Sequence, residues 1–277
     1  MSSVQGKIEF IEADLRDKEA VYAAVEGVER IIHTAALRAV LRSVDDPEET
    51  NEVNVKGTLN LLLAARDLKV KRLVFSSSSS IYGDTEKFPI TEDEKPNPLS
   101  PYAASKIMGE YYCRIFFKLY GLEIVSLRYF NVFGPRQNPE SIYSAVIPIF
   151  IEALLKGVFP EIHWDGLQSR DFSYVDNVVM GNILASEKEG VAGEVFNIAC
   201  HEEHSILEIF NTLREILNTR PIEPAFKPKR QGDVRRTFAD ISKAEQLLGF
   251  QVQTRFREGL EKTVHWFLES RVLENQK

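Results

Sequence analysis

Short apolar runs alternate with helix-like segments over the first half of the chain, and this alternation most constrains the fold. Three runs, 30–36, 71–75 and 123–129, are rich in Ile, Val, Leu and Phe and have the length of strands. Helical periodicity fills the intervals between them, over 47–67 and from Pro101 onwards. Strands and helices that alternate at this spacing predict an α/β fold with a doubly wound parallel sheet and right-handed crossovers.

Beyond Asn131 the pattern changes, because prolines become frequent and helices mix with short strands. This change predicts a second, smaller lobe of mixed α/β structure. We expect residues 1–135 to form the first domain and residues 136–277 to form mainly the second. Within the second, we expect the run from about 171 to 200 to return to the first domain.

The composition excludes some classes of partner. The chain of 277 residues has a formal net charge of −7 and a pI near 5.4, which argue against a nucleic-acid partner or an anionic membrane. No apolar run reaches the length of a membrane span. The two cysteines, Cys113 and Cys200, lie in apolar surroundings and indicate reduced core residues. We therefore expect a soluble, cytoplasmic protein.

Tyr102 and Lys106 stand four residues apart in a segment that opens with Ser100 and Pro101, which are typical of a helix start. On a helix they share one face, one turn apart. An ammonium beside a phenol lowers the pKa of the phenol toward neutrality, which would let Tyr102 exchange a proton with an alcohol. The alternative is an exposed Tyr–Lys pair on a surface helix. Similarly, the serine run 76–80 after the second strand could be a solvated turn.

Six sequence motifs follow one another along the chain in a characteristic order and spacing. They are Asn-Val-Lys-Gly-Thr at 54–58, the serine run with Ile-Tyr-Gly at 76–83, Ser-Pro-Tyr-Ala-Ala-Ser-Lys at 100–106, Arg-Tyr-Phe-Asn-Val-Phe-Gly-Pro-Arg-Gln at 128–137, Ser-Arg-Asp-Phe at 169–172, and Gly-Asp-Val at 232–234 with Ala-Asp at 239–240. Any one motif alone is weak evidence, but six in this order and spacing are specific. With them the chain resembles the extended short-chain dehydrogenase/reductase family, and within it the nucleotide-sugar 4-epimerases.

The resemblance implies a Rossmann-like sheet with a smaller substrate-binding lobe, NAD as cofactor and a UDP-hexose as substrate. The configuration of this sugar at C4 would be inverted through a 4-keto intermediate. UDP-glucose and UDP-N-acetylglucosamine, with their C4 epimers, are the expected substrates. Dehydratases of the family need an acid/base pair at the places where this chain has Ser79 and Ser80, so 4,6-dehydration is not expected. A UDP-uronate epimerase, a keto-reductase or a catalytically silent nucleotide-sugar-binding relative remain open. The family habit implies a homodimer through the Tyr102 helix and its neighbour.

The resemblance also assigns roles to residues. Tyr102 is the expected acid/base on the sugar 4-hydroxyl, Lys106 would hold the nicotinamide ribose, and Ser78 would hydrogen-bond the same hydroxyl. The residues expected to bind NAD are Asp14, Leu15, Ala35, Ala36, Arg38, Asn54, Ser76, Tyr102, Lys106 and Tyr129. Those expected to bind the UDP-sugar are Ser78, Asn131, Arg170, Arg230, Asp233 and Thr237.

Some of these residues also have a simpler structural interpretation. Asp14 could equally be a helix-start residue, and Arg170 or Arg230 alone could be a solvated charge. Thr237 stands where the family's residue gates the pocket beside the sugar C2 substituent, and its small size implies that N-acetylated sugars are accepted. It could also be a polar strand residue without a ligand contact.

Two features run against the expected site. An alternating run at 7–11 predicts a strand, but no glycine-rich turn of the kind that cradles a dinucleotide pyrophosphate precedes or follows it. The likeness begins at the family's third strand, so we expect an N-terminally incomplete sheet, loose binding of NAD and marginal stability as a monomer.

His201 and His204 lie in a polar stretch without the spacing of a helical zinc motif, and no metal is expected.

Overall fold

Helices and strands alternate in the first half of the molecule, as the sequence predicts. The structure is a computed structural model that describes residues 6–38, 40–137, 146–220, 222–229 and 233–274. The elements in chain order are α1 Lys18–Val25, β1 Arg30–His33, α2 Val40–Asp45, α3 Pro47–Asn51, a π-helical turn Glu52–Lys56, α4 Gly57–Asp67, β2 Arg72–Ser78, a 3-10 turn Ser79–Tyr82, α5 Pro101–Tyr120, β3 Glu123–Tyr129 and β4 Val132–Phe133.

The second half mixes helices with strands of two to four residues. Its elements are α6 Val146–Lys156, β5 Glu161–His163, β6 Ser169–Asp171, β7 Ser173–Tyr174, α7 Val175–Glu187, β8 Val195–Ile198, β9 Glu203–Ser205, α8 Ile206–Leu217, β10 Ala225–Lys227, β11 Arg236–Thr237, a π-helical turn Ala244–Leu248 and α9 Phe256–Glu274.

The main sheet has four parallel strands in the spatial order β1, β2, β3, β8. Helix α5 packs against β2 and β3, and α7 packs against the same two strands. Buried residues of β2 alternate between the two sides: Leu73 and Phe75 belong to the core under α4 and α5, and Val74 belongs to the core under α7. The predicted α/β fold with a parallel sheet is therefore confirmed. The carboxyl ends of the strands meet at one edge, where such sheets bind ligands.

Helix α5 begins and approaches the sheet for identifiable reasons. The Ser100 hydroxyl accepts a hydrogen bond from the Ala103 amide at 3.1 Å, and Pro101 occupies the first turn. Gly109 faces β2, and a Cβ at this position would lie only 2.3 Å from the ring of Phe75. The absence of a side chain therefore lets α5 lie close to β2, one turn beyond Lys106.

A second hydrophobic cluster, separate from the cores on the two faces of the main sheet, is rich in aromatic residues. The ring of Phe133 makes edge-on contacts with Phe172, Tyr174 and Phe256, with ring centroids 5.6 to 6.4 Å apart. Beside this core, β11, β6 and β9 form a small sheet in which Thr237 lies opposite Arg170. This register places two of the predicted substrate residues next to each other.

The predicted strand at 7–11 is wrong. Apart from one bridge residue, Ile8, the segment belongs to no strand, and the side chains of Ile8, Phe10 and Ile11 are exposed. The alternation of apolar residues is a local signal, whereas a strand needs a neighbour to satisfy its backbone groups. Among the described residues, β1 pairs with β2 alone and has no second neighbour.

A buried polar network joins α5 to the sheet. The Arg128 guanidinium on β3 makes two hydrogen bonds to the Glu110 carboxylate on α5, at 2.9 and 2.8 Å. The same guanidinium donates to the Tyr82 hydroxyl at 2.8 Å, and the Ser77 hydroxyl donates to Glu110. Tyr82 in turn donates to the Asn197 side chain on β8 at 2.6 Å. The network thus fixes the end of β2 and the turn after it.

No helix in the described part of the chain is long and apolar enough to cross a membrane.

Candidate active site

A cavity of about 510 Å³ lies at the carboxyl ends of β1, β2 and β3. Its walls come from both halves of the chain. The predicted site residues that line it are Ala36, Arg38, Ser76, Ser78, Tyr102, Lys106, Tyr129, Asn131, Arg170, Asp233 and Thr237.

Further lining residues were not predicted. Thr34, Val132 and Val234 are each next in sequence to a predicted site residue, so proximity along the chain was a usable signal. Val40 and Leu99 also line the cavity, but they belong to no motif, and their positions follow only from the folding of α2 and of the segment before α5.

The pKa of Tyr102 differs from the prediction. The sequence predicts that Lys106 lowers it, but burial of the phenol raises it above its ordinary value, because the charged phenolate loses its hydration. Hydrogen bonding with the Ser78 side chain and the positive charge of Arg38 oppose this rise. Lys106 does not contribute the expected lowering of this pKa, because its ammonium is hydrogen-bonded to the backbone carbonyl of Ser76.

The Lys106 ammonium donates a hydrogen bond of 2.8 Å to the backbone carbonyl of Ser76. It lies 5.3 Å from the ring centroid of Phe75 and 5.9 Å from that of Tyr102. Burial lowers its pKa from 10.5 to about 8. Lys106 is therefore a desolvated cation held at the end of β2, within reach of the cavity.

The serine run is an ordered turn and not a solvated one. The Ser78 hydroxyl accepts hydrogen bonds from the Ser80 amide at 3.2 Å and from the Ser80 hydroxyl at 2.9 Å. The hydroxyls of Ser76 and Tyr129 are 2.9 Å apart, and Tyr129 donates to Asn182 at 2.8 Å. Each of these serines is thus oriented by a partner, and Ser78 is held beside Tyr102.

Arg170, which also lines the cavity, is hydrogen-bonded to the backbone. Its guanidinium donates to the carbonyls of Ser169 at 2.7 Å and Val234 at 2.8 Å, and burial lowers its pKa. The charge of Asp233 opposes that shift. The buried hydroxyl of Thr237 has no hydrogen-bond partner among the described residues, so a ligand in the cavity could supply one. The predicted residue Arg230 lies outside the described residues.

Four residues predicted to bind NAD do not line this cavity. Asp14 is exposed and forms a two-pronged ion pair with Arg16, which lowers the pKa of Asp14 to about 2. Leu15 and Ala35 line a separate hollow of about 350 Å³ beside β1. Asn54 does not line the cavity and is hydrogen-bonded to Leu37 and Ser105 instead.

The amide side chain of Asn54 holds the loop after β1 against α5. Its oxygen accepts the Leu37 amide at 2.7 Å, and its nitrogen donates to the Leu37 carbonyl and the Ser105 hydroxyl, both at 3.0 Å. These bonds position the loop that carries Ala36 and Arg38 over the cavity. In this structure Asn54 therefore contributes to the site by holding one of its loops in position.

The two histidines of the polar stretch have partners within the protein. His201 makes a hydrogen bond of 2.7 Å with the Ala239 carbonyl, and the His204 ring stacks on Phe256 at 3.9 Å between centroids. In the part of the chain that the structure describes, no three His, Cys, Asp or Glu side chains are grouped as a metal site.

Comparison with known proteins identifies the family. The sequence model described as "NAD dependent epimerase/dehydratase family" matches residues 2–199. The chain belongs to this family. The resemblance inferred from the six motifs is thereby confirmed.

Characterised members of the epimerase/dehydratase family are similar over most of the chain. A UDP-glucose 4-epimerase of Mycolicibacterium smegmatis is 40% identical over 94% of this chain and 83% of its own length. The structure of a Thermotoga maritima UDP-glucose 4-epimerase with UDP-glucose is 38% identical, with a TM-score of 0.91, and the match covers 95% of this chain and 85% of the other. A Methanobrevibacter ruminantium UDP-N-acetylglucosamine 4-epimerase in complex with UDP-N-acetylmuramic acid is 39% identical, with a TM-score of 0.89, covering 94% and 83%.

Replacement of Lys106 by Met is expected to stabilise the fold while impairing the site. At pH 7 the charged ammonium is desolvated in the folded protein, so its removal should raise the free energy of unfolding by about 1–2 kcal/mol. This gain is smaller than the free energy that corresponds to the full pKa shift, because the hydrogen bond to Ser76 is also lost. Because the folded-state pKa of about 8 lies below the unfolded value of 10.5, the penalty is complete below pH 8 and fades toward pH 10.5. Urea unfolding at pH 7 and pH 10 measures the difference, with Lys118→Met, an exposed lysine of α5, as the control. Equal or lower stability of Lys106→Met at pH 7 would contradict the assignment.

Proposed function

We propose that this chain interconverts the C4 epimers of a UDP-hexose, with NAD as the bound redox partner. The observation that carries the proposal is the convergence on one cavity of two groups of residues. One group is Tyr102, Ser78 and Lys106, and the other is Arg170 and Asp233. A proton-transfer group and an anion-binding group within one cavity suit a sugar nucleotide, whose sugar reacts while its diphosphate is held.

The residues of the cavity fit the nicotinamide half of NAD. The Lys106 ammonium has three N–H groups, and the only acceptor that the described residues offer is the Ser76 carbonyl, which leaves donors for ribose hydroxyls. Ala36 is small enough to let a ligand approach the loop after β1. When bound, NAD would take a hydride from sugar C4 and return it to the opposite face.

The chain's own contribution is to move one proton and to orient the sugar. The Tyr102 phenolic oxygen would take the proton of the 4-hydroxyl and later return it, while the Ser78 hydroxyl hydrogen-bonds the same oxygen. Because burial favours the neutral phenol, a nearby positive charge is needed to make it a base, and Arg38 is the cation that acts on it in this structure.

Arg170 and Asp233 support the binding of the nucleotide end. Arg170 is half-buried and lines the cavity, where its guanidinium can neutralise part of the diphosphate charge. Asp233 also lines the cavity and would accept a hydrogen bond from a ribose hydroxyl. The small Thr237 beside Arg170 leaves room for a substituent at sugar C2, so we infer that N-acetylated UDP-hexoses are accepted with the plain ones.

A catalytically silent relative that binds a nucleotide sugar is the second candidate. It is favoured by one observation: four residues predicted to bind NAD, namely Asp14, Leu15, Ala35 and Asn54, lie outside the cavity. If the chain holds NAD loosely, activity should need added NAD, whereas a silent relative stays inactive at any NAD concentration.

We also infer a homodimer through α5. Apolar side chains are exposed along one stripe of this helix, at Met108, Tyr111, Ile115 and Leu119, with the spacing of a single helical face. A second copy of the chain would cover this stripe. Sedimentation should give a dimer that Ile115→Glu dissociates, and a monomeric parent chain would refute the inference.

Tyr102→Phe is expected to abolish epimerisation without changing the fold. The phenolic oxygen is the proposed proton carrier, and a general acid/base group contributes roughly 10²–10⁴-fold to the rate. Conversion of UDP-glucose and UDP-N-acetylglucosamine with excess NAD measures the effect. Tyr120→Phe, an exposed tyrosine at the far end of the same helix, is the matched control. Activity of Tyr102→Phe within a few-fold of the parent would rule out the mechanism.

Thr237→Tyr is expected to lower kcat/KM for the N-acetylated substrate by about tenfold more than for the plain one, because the larger ring fills space beside C2. Competition between the two UDP-sugars in one assay measures this ratio directly. An equal loss on both substrates would show that Thr237 does not gate the pocket.

A further inference from the structure

The turn between β5 and β6 holds a tryptophan in a strained backbone conformation. Trp164 has a φ of +69°, in the left-handed region that glycine adopts without cost and bulky residues rarely enter. The next residues, Asp165 and Gly166, complete the turn, and Gly166 also has a positive φ, of +76°. Strain of this kind persists where the surrounding structure uses the side chain.

Two cations lie over the Trp164 ring. The Lys229 ammonium is 4.1 Å from the ring centroid, and the guanidinium carbon of Arg235 is 4.7 Å from it. Both distances are within the range of cation–π attraction. Arg235 is also held by Asp165, whose two carboxylate oxygens each accept a hydrogen bond of 2.8 Å from the same guanidinium nitrogen. The turn thus holds Arg235 by an aromatic face and by a carboxylate.

The segment held in this way forms part of the cavity wall. Just before Arg235, Asp233 and Val234 line the cavity, and the carbonyl of Val234 accepts a hydrogen bond from Arg170. The Arg235 carbonyl accepts the Ser169 amide at 3.1 Å and so joins the segment to β6. A shift of Arg235 would therefore move Asp233 and Val234, together with the acceptor of Arg170.

We propose that Trp164 is a positioning residue for substrate binding: its ring, with Asp165, fixes Arg235 and thereby holds Asp233 and Arg170 where the nucleotide diphosphate end binds. This inference rests on the proposed function of the cavity. Trp164 itself does not line the cavity, so it acts through its neighbours. The effect of Trp164 falls on affinity for the nucleotide and not on proton transfer at Tyr102, because none of the contacts of this turn involves Tyr102.

Two substitutions at this position separate a positioning role from a purely structural one. Trp164→Gly removes the ring and also relieves the backbone strain, because glycine accepts a positive φ. Trp164→Phe keeps an aromatic face on the same backbone. A structural role predicts that Trp164→Gly lowers the melting temperature and leaves nucleotide affinity unchanged, whereas the positioning role predicts reduced affinity with the melting temperature kept or raised.

The test is titration calorimetry of the full chain with UDP, alongside melting curves and steady-state kinetics. For Trp164→Gly we expect the Kd of UDP and the KM of the UDP-sugar to rise by about fivefold, equivalent to about 1 kcal/mol, with kcat within twofold. Trp164→Phe, which keeps an aromatic ring, should bind UDP with most of the affinity of the parent chain. Trp266→Phe, which changes the other of the two tryptophans, is the control and should bind UDP like the parent.

Each outcome bears on the proposal. A parent chain that does not bind UDP refutes the proposed function and this inference together. A parent that binds UDP with a folded Trp164→Gly of equal affinity refutes the inference alone. If Trp164→Gly does not fold, Arg235→Gln removes the same contact from the other side, and the same loss of affinity is expected; unchanged affinity of that variant also overturns the proposal.

Discussion

The buried ion pair between Glu110 and Arg128 is the interaction on which the site most depends. Both side chains are almost fully buried, at 5% and 6% exposure, and the pair joins α5 to β3. Through Ser77 and Tyr82 it also fixes the end of β2 and the turn after it. Loss of one partner from such a pair costs about 3–5 kcal/mol, because the other charge stays buried without compensation. The positions of Ser78 and Tyr102 therefore depend on two residues that need not contact any ligand.

With the scaffold fixed, burial decides the electrostatics of the cavity. It raises the pKa of Tyr102 and lowers that of Lys106, so both groups are biased toward their neutral forms. Because the cavity disfavours charged groups, it stabilises a negative charge only where the chain provides a positive one. Arg38 and Arg170 provide such charges. The same burial that makes these groups costly to the fold suits them to proton transfer and anion binding.

The sequence predicts those features that depend on local chemistry. The start of α5 at Ser100 and Pro101 is set by capping, and the strands follow from apolar runs, so both were predictable and are confirmed. The pKa of Tyr102 was not, because it depends on burial and on where Lys106 points. The strand expected at 7–11 failed because strand pairing is not local. The contact between the Trp164 turn and Arg235 joins residues about 70 positions apart, and no motif marks it.

The fate of the hydrogen at sugar C4 tests the central claim most directly. The chain, with excess NAD, would be incubated with UDP-glucose that carries deuterium at C4, and the product would be analysed by mass spectrometry and NMR. If hydride leaves C4 and returns within one closed site while Tyr102 handles only the hydroxyl proton, the C4 epimer keeps its deuterium at C4. An epimer that has exchanged this deuterium for solvent hydrogen would contradict the account.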